Sequence, residues 1–409
     1  MRHRVFAFPL ALLTVAALSA GCGGKFDLPT ERAGRVVPSD QSYAMLATWR
    51  GMDGVQDLII TQGQGNQLFV LFNNGGGGGP GIPRGRVSLY PLTQPNPIGP
   101  PFFSPLSSLF NPVALSSGVN PAAGGDQRFT LFVLDQGDSC AAKFDVVRGT
   151  CEADPTPVDA DTTKPQPRRS MIRDYFATWR VREYRLGGGD TISTFTDSTM
   201  AQPYGIASDE QGRVYVAGVA VVLDTNQTNA SIRTRKFVSR IYRYARGSRY
   251  PGVLDVNMPG TSRWYRDTTW TIFDGTGASS VSDPRGLHWS RFGTNPLFVA
   301  DRGNNQVKAI SSFDDSAGLV RVDGQATGAN LNHPVGVAAD LAGFFYIVDR
   351  DNRRVLRYSL TGEFIQRVDV EANADGAPLL DPVGVAVDDS LAYVADRGRA
   401  QIIRFRRRP

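Results

Sequence analysis

The feature that most constrains this chain is a repeat in its C-terminal half. Asp283-Pro284-Arg285-Gly286-Leu287, His333-Pro334-Val335-Gly336-Val337 and Asp381-Pro382-Val383-Gly384-Val385 each open a unit, with successive prolines 50 and 48 residues apart. A period of this length marks an array of supersecondary units that stack to bury a shared core. Inside each unit a second element recurs: Leu297 to Val307, Tyr346 to Val355 and Tyr393 to Ile402, each an apolar run followed by Asp-Arg and a polar turn. Runs rich in Val, Ile and aromatics read as strands. The Asp-Arg-Gly/Asp-Asn segments read as tight turns, because Asp and Asn bond their own backbone and tolerate left-handed geometry. With the strand after Pro-x-Gly and a polar outer strand such as Phe364 to Val370, each unit holds four short antiparallel strands. That is the make-up of a β-propeller blade.

These residues resemble NHL repeats, whose pattern is Pro-x-Gly-Val-Ala-Val-Asp, a turn, then Tyr-Val-Ala-Asp-x-x-Asn-x-x-Ile/Val. The match is good over residues 281 to 406, about a third of the chain, and degenerate before that. Pro203 to Asp209 with Gly212 to Ala217 forms a fourth unit, whose turn is enlarged over Gly218 to Lys236. Asn111 to Ala114 with Leu131 to Gly137 forms a fifth, and Asp57 to Leu68 repeats the hairpin as a sixth that lacks its Pro-x-Gly start. The expected fold is therefore all-β, a single six-bladed propeller of four-stranded antiparallel blades over residues 31–409. The last unit has room for only three strands, so a segment near the N-terminus, Glu31 to Val37, is expected to complete it and remove the open edges. Long loops interrupt the first three units at Asn73 to Pro83, Pro91 to Pro112, Val147 to Arg173 and Gly247 to Arg263. Function usually sits on such loops when a rigid scaffold carries them.

The first residues bear on location. Arg2, His3 and Arg4 precede an apolar run from Val5 to Ala20, which is shorter than the roughly 20 apolar residues a spanning helix requires. The run ends in Leu18-Ser19-Ala20-Gly21-Cys22, as a signal peptide over 1–21 does. This ending resembles the lipobox of bacterial lipoproteins, with Ser19 departing from the usual Leu; the resemblance implies acylation of Cys22, a tether over 22–30, and a lipid-anchored protein on the periplasmic or outer-membrane side of the cell envelope. The two other cysteines, Cys140 and Cys151, are expected to form a disulfide in an oxidising compartment. Removing Arg2 and Arg4 leaves 42 basic against 39 acidic residues. The charges are interleaved, and an exported protein does not meet nucleic acid. Arg404 to Arg408 form one basic cluster, read as a solvated chain end or a contact for anionic lipid head groups.

Catalytic patterns are sparse. After the signal only His288 and His333 remain, so a zinc cage like that of the amidating lyases cannot be assembled from histidines. The Gly75 to Gly79 run lacks the Lys-Ser/Thr of a phosphate loop, no Gly-x-Ser-x-Gly elbow occurs, and Cys140 and Cys151 have no histidine partner. The recurring pairs Asp301-Arg302, Asp349-Arg350 and Asp396-Arg397 are the candidate binding face, because such turns converge around a propeller's axis. The alternative for them is structural: Asp caps the turn and Arg pairs with a neighbouring blade's Asp. Two functional classes follow. One is a monomeric, non-enzymatic scaffold binding a protein, peptide or glycan, with no cofactor; the other is a propeller hydrolase or lyase, lactonase-like or amidating-lyase-like, with an axial metal.

Overall fold

In the computed structural model, the residues described are 43–61, 67–74, 85–98, 109–121, 123–137, 144–145, 150–151, 179–186, 191–197, 199–223, 235–247, 264–277, 279–291, 296–310, 320–369, 378–388 and 390–408. Strand β1 (Tyr43–Arg50) belongs to the last blade, and the first blade follows as β2 (Val55–Thr61), β3 (Gln67–Asn73) and β4 (Gly85–Tyr90). The second blade is β5 (Pro112–Val119) and β6 (Phe129–Asp135), then, after a separate pair of two-residue strands β7 (Phe144–Asp145) and β8 (Thr150–Cys151), β9 (Arg180–Arg185) and β10 (Thr191–Phe195). The third is β11 (Met200–Ser208), β12 (Val214–Leu223), β13 (Arg235–Arg246) and β14 (Trp264–Asp274), with β15 (Ser280–Val281) added in parallel. The fourth is β16 (Pro284–Trp289), β17 (Leu297–Asp301), β18 (Gln306–Ile310) and β19 (Val320–Val322). The fifth is β20 (Pro334–Ala339), β21 (Phe344–Asp349), β22 (Arg354–Ser359) and β23 (Phe364–Arg367). The sixth is β24 (Pro382–Val387), β25 (Leu391–Asp396), β26 (Gln401–Arg407) and, on its outer edge, β1.

The first strands of the blades form a closed circuit: β2 touches β5, then β11, β16, β20 and β24 follow in turn, and β24 returns to β2. This is the expected six-bladed propeller. Its cores lie between blades. Six apolar clusters occur among the described residues, one for each blade-to-blade interface. Both faces of a second strand are therefore covered, which is why β17 and β25 are buried along their whole length and β21 at all but Phe344, and they read as unbroken apolar runs.

The ring closes through the N-terminal part of the chain, but with a different segment from the one expected. Tyr43 to Arg50 pairs antiparallel with β26, from Tyr43 opposite Arg407 to Arg50 opposite Gln401. Glu31 to Val37 lies outside the described residues. The physical reason is aromatic anchoring. Trp49 is buried between Tyr90 of the first blade and Tyr393 of the sixth, at 5.9 and 5.7 Å between ring centroids, and the Tyr43 hydroxyl meets that of Tyr346 in the fifth blade at 2.7 Å. Thus β1 fastens the last blade to both neighbours.

Two further expectations are corrected. Asp57 to Thr61 is part of the axial first strand of its blade, and the second strand is Gln67 to Asn73, so the Gly75 to Gly79 run falls in the connection from second to third strand. The enlarged turn of the third blade is, in its described part, a longer hairpin, with β12 and β13 in unbroken register as far as Leu223 opposite Arg235. All three long second-to-third connections, in blades one to three, leave from the same end of the ring as the Asp-Arg turns.

Candidate functional site

The six first strands enclose an axial channel of about 530 Å³. The glycine of Pro-x-Gly sets how closely they meet. A Cβ on Gly205 would lie 1.8 Å from the Arg285 carbonyl oxygen, and one on Gly286 would lie 2.6 Å from that of Val335. Any side chain there would push neighbouring first strands apart, and the ring would not close at this radius.

The Asp-Arg pairs divide into two roles. Asp301, Asp349 and Asp396 are fully buried. Each carboxylate accepts the backbone N–H of residues just ahead of its own blade's proline: Ser282 at 2.6 Å, Asn332 at 2.7 Å, and Leu380 and Asp381 at 3.1 and 2.9 Å. Asp135 does the same in the second blade toward Phe110 and Asn111. Burial raises the Asp301 carboxyl, and Lys308, at 2.6 Å and equally buried, opposes that rise. Left-handed geometry falls at the end of each turn, on Asn305, Arg353 and Ala400.

The arginines face the channel. Arg302, Arg350 and Arg397 line one mouth, together with Arg285 from the x position of its Pro-x-Gly. They share two carboxylates. Asp283 takes Arg302 at 2.5 Å and Arg285 at 2.8 Å, within their own blade. Asp381 takes Arg350 from the preceding blade at 2.7 Å and Arg397 from its own at 2.8 Å. Burial alone would raise the Asp381 carboxyl, but its hydrogen bonds to Arg350 and Arg397 outweigh that and hold it below the ordinary value. The arginine contacts are thus partly within and partly between blades.

The other half of this mouth is neutral. Asn73 Nδ2 donates to Asn111 Oδ1 at 2.6 Å, Asn111 Nδ2 to Gln136 Oε1 at 3.0 Å, and Gln136 Nε2 to the Pro203 carbonyl at 2.6 Å. Arg397 Nη1 joins the halves by donating to Gln56 Oε1 at 3.0 Å. At the third blade the Arg285 guanidinium lies 3.5 Å over the Tyr204 ring. The fourth and fifth blades meet where the His333 N–H donates to Asn305 Oδ1 at 2.8 Å. A girdle of polar contacts therefore crosses every blade junction on this face.

Two titratable groups stand in the channel wall at positions that other blades fill with small residues. Asp57 occupies the place of the repeat glycine, and its oxygens accept the N–H groups of Leu58 and, across the blade junction, Leu115, both at 2.8 Å. Burial pushes its carboxyl up to about 7 despite these bonds. His288 sits where Ala338 and Ala386 sit in later blades, and burial pushes it down to about 4. At the far mouth the acids have their own cations: Asp209 pairs with Arg213, Glu210 with Arg291, and Asp340 lies 4.0 Å from Arg357. His333 is a turn residue at positive φ whose ring meets Asp351 at 2.5 Å.

Sequence reading did not single out Asp57, Gln56, Asn73, Asn111, Gln136, Tyr204 or Arg285. The available signal was their register against the well-formed repeats: x of Pro-x-Gly for Tyr204 and Arg285, the glycine itself for Asp57, and the Arg of Asp-Arg for Gln136. Cys22 and Cys140 lie outside the described residues, and Cys151 ends the short strand β8 opposite Phe144. Among the described residues, no three His, Cys, Asp or Glu side chains come together as a metal cluster.

No family profile matches the chain, and no curated protein does. Among solved structures it is similar to a structural genomics protein of unknown function from Bacteroides thetaiotaomicron, at 12% identity and TM-score 0.47 over 90% of this chain and 72% of that one. It is also similar to virginiamycin B lyase from Staphylococcus aureus, at 8% identity and TM-score 0.43 over 89% and 99%, and to a streptogramin B lyase, at 12% identity and TM-score 0.41 over 90% and 88%.

Proposed function

We propose that this protein is a lipid-anchored, NHL-type binding protein of the bacterial cell envelope that holds a protein, peptide or glycan at the arginine-bearing mouth of its channel without transforming it. The observation that carries this reading is the mouth itself: four guanidiniums and a row of amide side chains converge on a channel of about 530 Å³. Such side chains recognise ligands by hydrogen bonding and charge, and they supply no nucleophile. The anchor rests on Arg2 to Cys22, and a Cys140 to Cys151 disulfide and a monomeric state belong to the same exported scaffold.

Two measurements test this. Mass spectrometry of the mature protein should find an acylated N-terminal Cys22; an unmodified N-terminus elsewhere removes the anchor. Ligands retained from peptide and glycan arrays, after prolonged incubation with the purified protein, should be recovered chemically unchanged. Recovery of a cleaved or rearranged ligand overturns the scaffold reading.

A further inference from the structure

The arginine mouth has more cations than its own acids neutralise. Arg285, Arg302, Arg350 and Arg397 are served by two carboxylates, Asp283 and Asp381, each bonded through separate oxygens to two guanidiniums. At the far mouth each acid has its own arginine. The excess is therefore local to one end of the channel, about one positive charge at each of the two shared aspartates. The unused capacity is chemical as well as electrostatic. The Nε atoms of Arg285 and Arg302 are buried without a hydrogen-bond partner, as are Nε and Nη1 of Arg357 beside Asp340 at the far mouth, and at the arginine mouth Oδ1 of Asn73 on the opposite, neutral side is likewise unpartnered. Buried donors on guanidinium groups are normally satisfied, and guanidiniums matched to an anion form short, paired hydrogen bonds.

From this we infer that the mouth takes the anionic end of its ligand, a carboxylate or a phosphate group carrying up to two negative charges. The anion lies on Arg302 and Arg350, the two arginines that can be spared from Asp283 and Asp381. The uncharged body of the ligand faces Gln56, Asn73, Asn111 and Gln136. Tyr204, under Arg285, supplies an apolar wall between the two halves. This deepens the proposed binding function and rests on it.

The test uses the mature protein in detergent and titrates it by calorimetry with inorganic phosphate and, separately, with succinate, at neutral pH and low salt. The key variant is the double substitution Arg302→Gln and Arg350→Gln, which leaves Arg285 on Asp283 and Arg397 on Asp381. The wild type should bind at least one of the two anions, and the double variant should bind it at least tenfold more weakly. Arg302→Lys with Arg350→Lys, which keeps the charge but not the planar fork, should fall between. Binding of phosphate alone points to a phosphoryl ligand, and binding of succinate alone to a carboxylate. Equal affinities of wild type and double variant, or no binding of either anion by a folded wild type, overturn the anion site. In that case array ligands recovered unchanged still stand as support for the scaffold, while a transformed ligand removes the scaffold and leaves the anion site untouched.

Discussion

The two halves of the ring solve the same packing problem differently. In blades four to six a buried aspartate at the end of the second strand holds the start of its own blade's first strand, and a short turn follows, a 3-10 one in blades four and six. In blade five Arg354 pairs with that aspartate at 2.6 Å. In blade one the equivalent cross-strand pair is Arg86 and Phe72, and the guanidinium lies 4.2 Å over the ring instead. Blade three has Gly218 at the corresponding place and runs on into a long hairpin. Blades one and three have given up the ionic clamp, which blade two keeps in Asp135 with Arg180 opposite it, and the irregular half relies also on aromatic packing: Trp264 lies against Phe195 and Phe132, and Trp49 against Tyr90. A repeat fold can thus lose its repeat signature blade by blade, provided each blade interface keeps an apolar core. The second-to-third connection has lengthened both where the signature is lost and, in blade two, where its aspartate is kept.

This comparison makes claims that can be broken. The largest effect should come from the joint between the halves: Trp49→Ala should destabilise the whole ring by about 3–5 kcal/mol in a single cooperative transition. Deleting Gly75 to Gly79 should change stability by less than about 0.5 kcal/mol. Comparable losses in denaturant unfolding would show that closure by β1 is not what holds the ring. Next, Asp349→Ala should cost about 3–5 kcal/mol, because Arg354, Asn352 and the Asn332 N–H all lose their acceptor in a buried site. Asp135→Ala in the second blade should cost a comparable amount, about 3–5 kcal/mol, because Arg180 opposite it loses its carboxylate and the backbone donors of Phe110, Asn111 and Gly137 lose their acceptor. A loss of no more than about 1 kcal/mol at Asp135 would show that the second blade has given up the clamp together with the first and third.

The smallest effect is the dependence on pH. With Asp57 near 7 in the folded chain and 3.8 as its ordinary value, the native state holds a proton that the unfolded chain has released between about pH 4 and 7. Its contribution to stability therefore falls as pH rises through that window. His288 acts in the opposite sense: near 4 when folded and 6.5 ordinarily, it contributes stability that is lost as pH falls from about 6.5 to 4. The two partly cancel, so single substitutions to the repeat residues separate them. Asp57→Gly should gain relative to wild type from about pH 4 to 7 in thermal melts, and His288→Ala should gain relative to wild type from pH 6.5 down to 4. Parallel melting curves for wild type and both variants would show that neither group titrates in the channel wall.

How much of this was legible in the sequence follows the same division. Prolines 284, 334 and 382 and the Asp-Arg turns locate blades four to six because each residue has a backbone duty that few others can perform. Blade number and closure from the N-terminus followed from them. The closing strand was misplaced because β1 shows no alternation: only its two aromatic ends, Tyr43 and Trp49, are buried, and a bulge between Met45 and Ala47 shifts the register. Asp57 to Thr61 was assigned one strand too far out because blade one has Val55 where the others have proline and Asp57 where they have glycine. The arginine half of the mouth was visible as a repeat, and the amide half was not. Nothing in Asn73, Asn111 or Gln136 announces a shared rim until three blades are set side by side.

The pairing of β1 with β26 has a consequence for the order of events in folding. Gln56 and Arg397, joined across the closing junction, are 341 positions apart. A chain that emerges N-terminus first presents β1 long before its partner β26 reaches it. Blades one to five can pair internally as they emerge, since each hairpin is local, but the ring has no closed form until the final strand is complete. For that interval β1 has no strand to pair with, and the unfinished sheet presents an unpaired edge of the kind that invites association with other chains. Gln401 to Arg407 is therefore the segment whose arrival ends that exposure, and a chain truncated before Gln401 would keep that edge open indefinitely.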